Sequence, residues 1–415
     1  MGDGDDSAAQ FGSMKVNSGI GIVTALPKEH ASMTAMMDNP RSLRIDSDPS
    51  TYTIGEIGSQ SVIVALLPKM GLEPAAVIAT HLIRSFPSVQ DVLMVGIAGG
   101  VPNPKKPADH VRLGDIVVSE NAGVVQFDFG KLEADASASS LKFEVRSTDP
   151  PPSARMQQAV KLLESQRLRG QHPWEQFLSR SEIRQICTRP DSSSDILFDA
   201  LDVLKPIKHP DDPDRMNGRP RVHYGTIGSS NTLLKAPQVR DRLREMYAVK
   251  AIEMEGSGIA AATWLGAARG YLLIRGICDY CDSHKNDLWQ PYAACAAAAY
   301  AAALIASIPQ GALRALEPLL DERVLMRNLR ALLVKHFSLG ELEILCSDVT
   351  AELAATGIDE VVTLDRVGGV GTEQVGLRLI EYLVRRGYLD YLVRELRRAR
   401  PNVGFFVEMD QPRST

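Results

Sequence analysis

The chain has 415 residues and a mass of 45.2 kDa, with 44% hydrophobic and 23% charged residues. That composition builds a sizeable core and excludes a disordered or fibrous chain. The 46 basic and 51 acidic residues give a formal charge of −5, so a whole-chain basic footprint for nucleic acid is absent, while a local basic site for a small anion stays open.

Residues 1–18 read as a flexible leader, lacking the pattern of a signal peptide. Short apolar runs rich in Val and Ile follow at 20–25 (IGIVTA), 61–67 (SVIVALL), 92–97 (VLMVGI), 115–118 (DIVV) and 271–277 (YLLIRGI). They predict strands buried on both faces of a sheet. Helix-like stretches lie at 73–85, 153–168, 236–246, 255–268 and 290–307. Strands alternating with helices predict a three-layer α/β domain over 19–310. Between Pro291 and Pro309 the uncharged run Tyr292–Ile308 is mostly alanine and falls short of the ~20 strongly apolar residues of a membrane span. A helix packed on the sheet is expected there, and no membrane association.

Residues 131–220 break this rhythm with ADASASS, Pro150-Pro151-Pro152, DSSSD at 191–195 and HPDDPD at 209–214. They predict a variable insertion with one or two helices and mobile loops. After Pro309 strands cease, apart from a short run at 361–364. A linker at 311–322 is expected to lead into an all-helical domain at 323–403, with helices at 323–336, 338–349, 372–386 and 388–399, and then a tail at 404–415. Residues 376–400 carry seven Arg against three acids, which fits a partner-facing helix or a solvated one. The GGVG at 368–371 reads as a loop between helices.

Four places carry potential chemistry. Glu29, in TALPKEH, follows the first strand and by itself is a surface carboxylate. The phrase VGIAGG, Val95 to Gly100, offers small residues whose backbone N–H groups approach an anion or a ribose, or else makes a tight strand-to-helix turn. Glu253-Met254-Glu255 places two carboxylates on one face of an extended segment, where a cis-diol is held, or forms an acidic helix N-terminus. Arg275-Gly276-Ile277-Cys278-Asp279 ends a strand, where ligands gather in open α/β sheets, and Asp279 serves there as a general acid or a helix cap. Cys278, Cys281 and His284 form C-x2-C-x2-H without a second cysteine pair, so no metal site is expected. The five cysteines, odd in number, argue for a reducing, cytoplasmic compartment.

Six segments occur in order over 19–308: GIVTALPKEH, VGIAGG, VRLGDIVVSE, VHYGTIGSSNTLLK, AIEMEGSGIAAA and LIRGICDYCDSHKNDLWQPYAACAAAAYAAAL. Together they resemble the nucleoside phosphorylase and nucleosidase superfamily, most closely its methylthioadenosine/adenosylhomocysteine nucleosidase branch. The resemblance implies a three-layer αβα sandwich with a mixed, twisted central sheet. It puts Asp279 where the family protonates purine N7 and Glu255 where it holds the ribose hydroxyls, with Met254 against the sugar. Glu29 stands where the nucleosidase branch activates water, and Asn231 borders the base. Glu253, Ala98, Gly99, Arg275 and Lys285 complete the expected substrate-contacting set.

Breaking a purine N-glycosidic bond generates a cationic sugar, and the base departs readily only when N7 is protonated. Asp279 must therefore carry a proton to give, and no metal or redox cofactor is needed. A carboxylate at Glu29 repels phosphate, which favours hydrolysis over phosphorolysis. Lys28, Arg112, Lys131, Arg275, His284 and Lys285 flank the motifs, and some superfamily domains of bacterial defence systems cleave ATP to adenine and ribose triphosphate. ATP is the preferred substrate on this reading. The alternatives are a housekeeping methylthioadenosine/adenosylhomocysteine nucleosidase, a purine nucleoside phosphorylase, or a non-catalytic nucleotide sensor.

The C-terminal phrases LRALLVKHFSLGELEILCSDV and VGLRLIEYLVRRGYLDYLVRELRRARPNV resemble effector-associated, death-like adaptor domains. That resemblance implies a small all-α bundle with a core of Leu329, Leu332, Leu333, Leu342, Leu345 and Leu383. It also implies a partner protein carrying a matching domain, and a role as an effector in antiphage defence. A homo-oligomer is expected from the superfamily alone.

Overall fold

A computed structural model describes residues 18–308 and 329–399, except 46–47, 135–140, 147–148, 267, 269, 331, 356–357, 359, 370 and 387. The expected leader through residue 17, the linker at 311–322, the first residues of the helix at 323–336 and the tail at 404–415 lie outside the described residues. The described residues fall into two compact units, one before and one after the gap at 309–328.

The first unit is a mixed sheet with helices on both faces. Its strands are β1 (Ile20–Thr24), β2 (Asp38–Arg44), β3 (Thr51–Ile57), β4 (Gln60–Leu66), β5 (Asp91–Gly100), β6 (Ile116–Gln126), the two small hairpin pairs β7 (Gly130–Ala134) with β8 (Leu141–Val145) and β9 (Leu197–Phe198) with β10 (Pro206–Ile207), then β11 (Val222–Ser229), β12 (Val249–Glu253) and β13 (Gly270–Asp279). The main sheet has nine strands in the order β12-β11-β6-β13-β5-β1-β4-β3-β2. Pairs around β1 and β5 are parallel, whereas β13 runs antiparallel to β6 and β3 runs antiparallel to both its neighbours. β12 also pairs antiparallel with the end of β5, Ile252 opposite Gly99. Strands β5, β13, β6, β11 and β12 therefore close into a circuit, and the ends of three of them meet.

The apolar runs are buried on both faces, as their composition requires. Val92, Met94, Tyr271 and Leu273 pack into one core; their neighbours Leu93, Val95, Leu272 and Ile274 pack into the other. The first core lies under α2 (Leu72–Ser85) and α7 (Gly256–Leu265). The second lies under α1 (Pro27–Thr34), α3 (Ala154–Leu168), α4 (Pro173–Leu178), α5 (Ser181–Ile186) and the alanine-rich α8 (Gln290–Ser307). α8 sits so close to β13 that a Cβ at Gly276 would fall 1.9 Å from the Ala293 carbonyl oxygen. Only small side chains permit that approach, which explains the alanine run. An eleven-residue helix, α6 (Pro237–Tyr247), precedes β12.

Several sequence expectations change. The insertion holds three helices rather than one or two, namely α3, α4 and α5. VGIAGG makes no turn, because β5 continues as strand through Gly100. Polar, Pro-containing β2 was not anticipated; it lies at the sheet edge, where Pro and charge are tolerated.

The second unit is all helical: Leu339–Ala355, Leu364–Val367, Gly371–Arg386 and Leu389–Ala399, with further helical residues at 332–336. The run at 361–364 forms no strand; Thr363 instead caps the helix Leu364–Val367, accepting from the Arg366 N–H. Leu329, Leu332, Leu333, Leu342, Leu345 and Leu383 are all buried in one core. Among the described residues no helix is long and apolar enough to cross a membrane.

Candidate active site

Two clusters of charged side chains form where β5, β12 and β13 end, three residues apart along β5. The first gathers around Arg275, which is fully buried. Its guanidinium contacts the Glu253 carboxylate and lies 3.4 Å from Glu255 Oε2. Glu29 completes the cluster from α1. One Glu29 oxygen turns back to accept the Ala25 and Leu26 N–H groups at 2.7 and 2.9 Å, the reach of the acidic member of a capping box. The other accepts the Ile97 N–H of β5 at 2.8 Å. Glu29 is thus buried, not a surface carboxylate.

Gly96 explains how these groups meet. A Cβ there would lie 2.5 Å from Glu29 Oε1 and 2.6 Å from Arg275 Nη1. The glycines of VGIAGG make room for side chains of neighbouring elements. Ala98, also buried, offers its carbonyl to the Cys278 thiol at 3.5 Å.

Three carboxylates face one guanidinium away from water, so the electrostatics are strained towards protonation. Burial pushes Glu29 above the usual carboxylate range, against the pull of Arg275 and the Ile97, Leu26 and Ala25 N–H groups. Burial likewise lifts Glu255 to about 7; Arg275 opposes it, and repulsion from Glu253 and Glu29 adds to it. A carboxylate poised near neutral pH suits acid–base work.

Glu253 and Glu255 do converge on Arg275, although β12 stops between them. Glu253 Oε1 and Oε2 accept the Gly256 N–H, and Oε2 also accepts the Glu255 N–H at 3.0 Å. Glu253 therefore caps α7 and braces Arg275, which leaves it a poor candidate for direct substrate contact. Glu255 Oε1 accepts from the Gly71 N–H at 3.3 Å. Asn231 Oδ1 holds the next N–H, that of Leu72, at 3.0 Å. Glu255 and Asn231 thus share the N-terminus of α2. Met254 is half-buried between the two glutamates.

Beside this helix start opens a cleft of about 640 Å³, lined by Pro68, Lys69, Met70, Gly71, Glu73, Pro74, Val77, Ile78 and Asn231. Glu29, Glu255 and Asp279 do not line it; Gly71 separates it from Glu255.

The second cluster surrounds Asp279, the last residue of β13. A Cβ at Gly99 would lie 2.8 Å from Asp279 Oδ1 and 2.2 Å from Cys281 Sγ, so this glycine repeats the role of Gly96. Asp279 Oδ1 accepts the Cys281 N–H at 2.9 Å. Oδ2 accepts the Cys278 thiol at 3.2 Å and lies 2.9 Å from Lys285 Nζ.

The loop carrying Lys285 is held by the insertion. Tyr280 OH donates to Asp195 Oδ1 at 2.5 Å, and Trp289 Nε1 donates to Ser194 Oγ at 3.1 Å. The His284 ring lies on Phe198, centroids 3.7 Å apart, and its Nε2 bonds the Val203 carbonyl. Asp195, Phe198 and Tyr280 were not singled out from sequence. The only signal was that 191–195 is polar and dense in turn residues.

Most cations named from sequence are engaged within the protein. Arg275 and Lys285 pair with carboxylates, Arg112 Nε donates to Asp195 at 2.7 Å, and Lys28 donates to Gln290 at 2.6 Å. Lys131 is exposed on β7. Among the described residues no group of three or more His, Cys, Asp or Glu is arranged to hold a metal ion.

A mixed sheet flanked by helices, with buried carboxylates at converging strand ends, is the frame of an α/β enzyme of small molecules. The Phosphorylase superfamily model matches residues 19–308, and the chain belongs to that superfamily. The chain is 33% identical over 330 residues to a nucleotide-binding leucine-rich repeat (NLR)-like protein of Hyaloscypha variabilis, covering 76% of this chain and 32% of that one. It thus spans about a third of that relative's length. It is 24% identical over 257 residues to a 5′-methylthioadenosine/S-adenosylhomocysteine nucleosidase of Mycobacterium tuberculosis, covering 58% of this chain and 78% of the relative. Among solved structures it is similar to the corresponding nucleosidase of Neisseria meningitidis in complex with methylthio-immucillin-A, with a TM-score of 0.47 and 18% identity over 70% of this chain and 99% of that one. Futalosine hydrolase of Helicobacter pylori gives a TM-score of 0.47 and 17% identity, with the same coverage.

Proposed function

We propose that the chain hydrolyses the N-glycosidic bond of a purine nucleoside or nucleotide. The observation that carries this reading is the convergence of Glu29, Glu255 and Arg275 in one buried cluster, three residues along β5 from Asp279. In this scheme Glu29 takes the proton of the attacking water, and its raised proton affinity matches that task. Glu255 accepts from the ribose hydroxyls, with Met254 against the sugar. The excess of carboxylates over Arg275 favours the cationic sugar of the transition state. Asp279 serves the departing base, and Glu253 keeps α7 and Arg275 in place. A buried carboxylate at the nucleophile site disfavours phosphate, so water is the acceptor.

For the 5′ group we put an adenine nucleotide first, ATP by preference. Support comes from the helical unit that follows the enzyme domain, from the likeness to an NLR-like protein, and from Lys69 at the cleft beside Glu255. On this reading the helical unit recruits the enzyme to a protein with a matching domain during defence against phage. One observation favours a second reading: Pro68, Met70, Pro74, Val77 and Ile78 make the cleft largely apolar, which suits a thioether such as methylthioadenosine.

The test is release of free base from ATP, AMP, methylthioadenosine and inosine, with and without phosphate. Adenine from ATP in phosphate-free buffer is the expected result, and Glu29→Gln and Asp279→Asn should each lower the rate ~100-fold or more. Base release that requires phosphate would overturn hydrolysis; release from methylthioadenosine alone would select the second reading.

A further inference from the structure

Asp279 is surrounded by donors. Its oxygens accept from the Cys281 amide, the Cys278 thiol and Lys285. The amide has no proton to give. The Cys278 thiol is buried, so water cannot return a proton to it. Lys285 remains: an ammonium 2.9 Å from Asp279 Oδ2, with a side chain 23% exposed and so within reach of water. A lysine expected from sequence to contact the substrate sits on the residue assigned to the leaving base.

Its position is fixed from two sides. The Lys285 N–H bonds the Asp282 carbonyl at 3.3 Å, and the His284 N–H bonds Asp282 Oδ1 at 2.9 Å. The insertion then clamps the same loop at Tyr280, His284 and Trp289. Such pre-set geometry suits a proton path, whose donor and acceptor must stay within hydrogen-bond reach.

We propose that Lys285 is the source of the proton that reaches the leaving purine, delivered through Asp279. This rests on the hydrolytic reading above. As the C1′–N9 bond breaks, its electron pair goes to the purine. The purine takes a proton from Asp279 Oδ2 at N7, and Asp279 takes one from the Lys285 ammonium. Water adds to C1′ and gives its proton to Glu29. Lys285 ends as a neutral amine and Glu29 as an acid; solvent returns one proton and removes the other.

The test compares wild type, Lys285→Met and Lys285→Arg on two substrates: the purine compound that wild type cleaves, and p-nitrophenyl β-D-riboside, whose leaving group departs as an anion without protonation. Lys285→Met should lose ~100-fold or more in kcat on the purine, with KM within about threefold. Its loss on the nitrophenyl riboside should be at least tenfold smaller. Arginine keeps the charge but holds its proton too tightly to give it, so Lys285→Arg should behave like Lys285→Met on the purine. Rescue by arginine would reduce Lys285 to a charge, and equal losses on both substrates, or an effect confined to the KM of phosphorylated substrates, would also overturn the proposal. The arginine variant decides the matter on the purine alone. Wild type inert toward every substrate brings down the hydrolytic reading itself, whereas an active wild type matched by Lys285→Met removes only Lys285.

Discussion

The clusters around Arg275 and Asp279, assigned to sugar and base in the proposed hydrolysis, are built by different means. Around Arg275 every group comes from the body of the fold: Glu29 from the first turn of α1, Glu253 from the end of β12, Glu255 from the start of α7, and Arg275 from mid-β13. All four are buried, and backbone N–H groups occupy the carboxylates. Around Asp279 only the aspartate and Cys278 belong to a strand. Its partner Lys285 rides on a loop, and that loop is held by residues 194–203 of the insertion. Charge stabilisation of a fleeting sugar cation depends on fixed, dry groups, which regular structure supplies. The proposed base side is instead presented by a loop that is held from outside the sheet.

The comparison predicts its largest effect at Arg275. Replacing it with Met would leave three buried carboxylates without their shared cation. Removing one partner of a buried ion pair costs about 3–5 kcal/mol, so Arg275→Met should unfold about 1 M urea or more earlier or fail to accumulate folded. A variant with wild-type urea stability would show that the sugar side is not held by this guanidinium.

Much of this difference was legible before the structure. The apolar runs at 20–25, 61–67, 92–97 and 271–277 coincide with β1, β4, β5 and β13, because fully buried strands need continuous apolar side chains. Glu29, Glu255 and Asp279 were marked by motif. What was hidden is pairing between distant segments. Ile252 meeting Gly99 brings β12 to β5, and nothing local in either sequence announces it. The glycines of VGIAGG were visible, but not that Glu29 and Arg275 fill the space at Gly96 and Asp279 and Cys281 that at Gly99. The sequence marks Lys285 as a substrate contact but not its pairing with Asp279, because a lysine's partner is set by loop conformation, not by its neighbours in sequence. Glu253 was read as a substrate contact because its spacing from Glu255 shows proximity but not which N–H groups occupy its oxygens.

A smaller effect is expected on the base side. Asp195 accepts from Tyr280 and Arg112 across the insertion. Burial disfavours its charge, yet His209, Tyr280 and Arg112 together hold it below the usual carboxylate range. Asp195→Asn should weaken two hydrogen bonds to a charged group, costing about 2 kcal/mol, and loosen the loop that presents Lys285. The expected outcome is ~10-fold lower kcat on the purine substrate with the sheet intact by circular dichroism. Activity equal to wild type would mean that the insertion covers this loop without positioning it.

The mildest test uses pH and separates the two sides without a large structural change. Glu255 is lifted from 4.5 to about 7, chiefly by burial and against Arg275, and burial raises Glu29 as well. For activity, Glu29 must be ionised to accept a proton from water. The acidic limb of kcat/KM should therefore lie above the usual carboxylate range, with the rate rising as pH rises; the coupled cluster, not one residue, sets its midpoint. Stability has the opposite sign. The folded state binds protons more tightly than the unfolded one, so this contribution is complete below about pH 4.5 and is lost as pH rises through about 7. A tenfold change in proton affinity is worth about 1.4 kcal/mol, so the loss between pH 5.5 and 7.5 should be a few kcal/mol at most. Glu255→Gln removes one like-charged neighbour of Glu29. It should flatten the fall in urea midpoint over that interval and move the acidic limb of the remaining activity to lower pH. Asp195→Asn touches neither quantity on this argument, because Asp195 lies outside the sugar-side cluster. If the two variants shift the limb alike, the clusters titrate as one, and the division between a fixed sugar side and an adjustable base side fails.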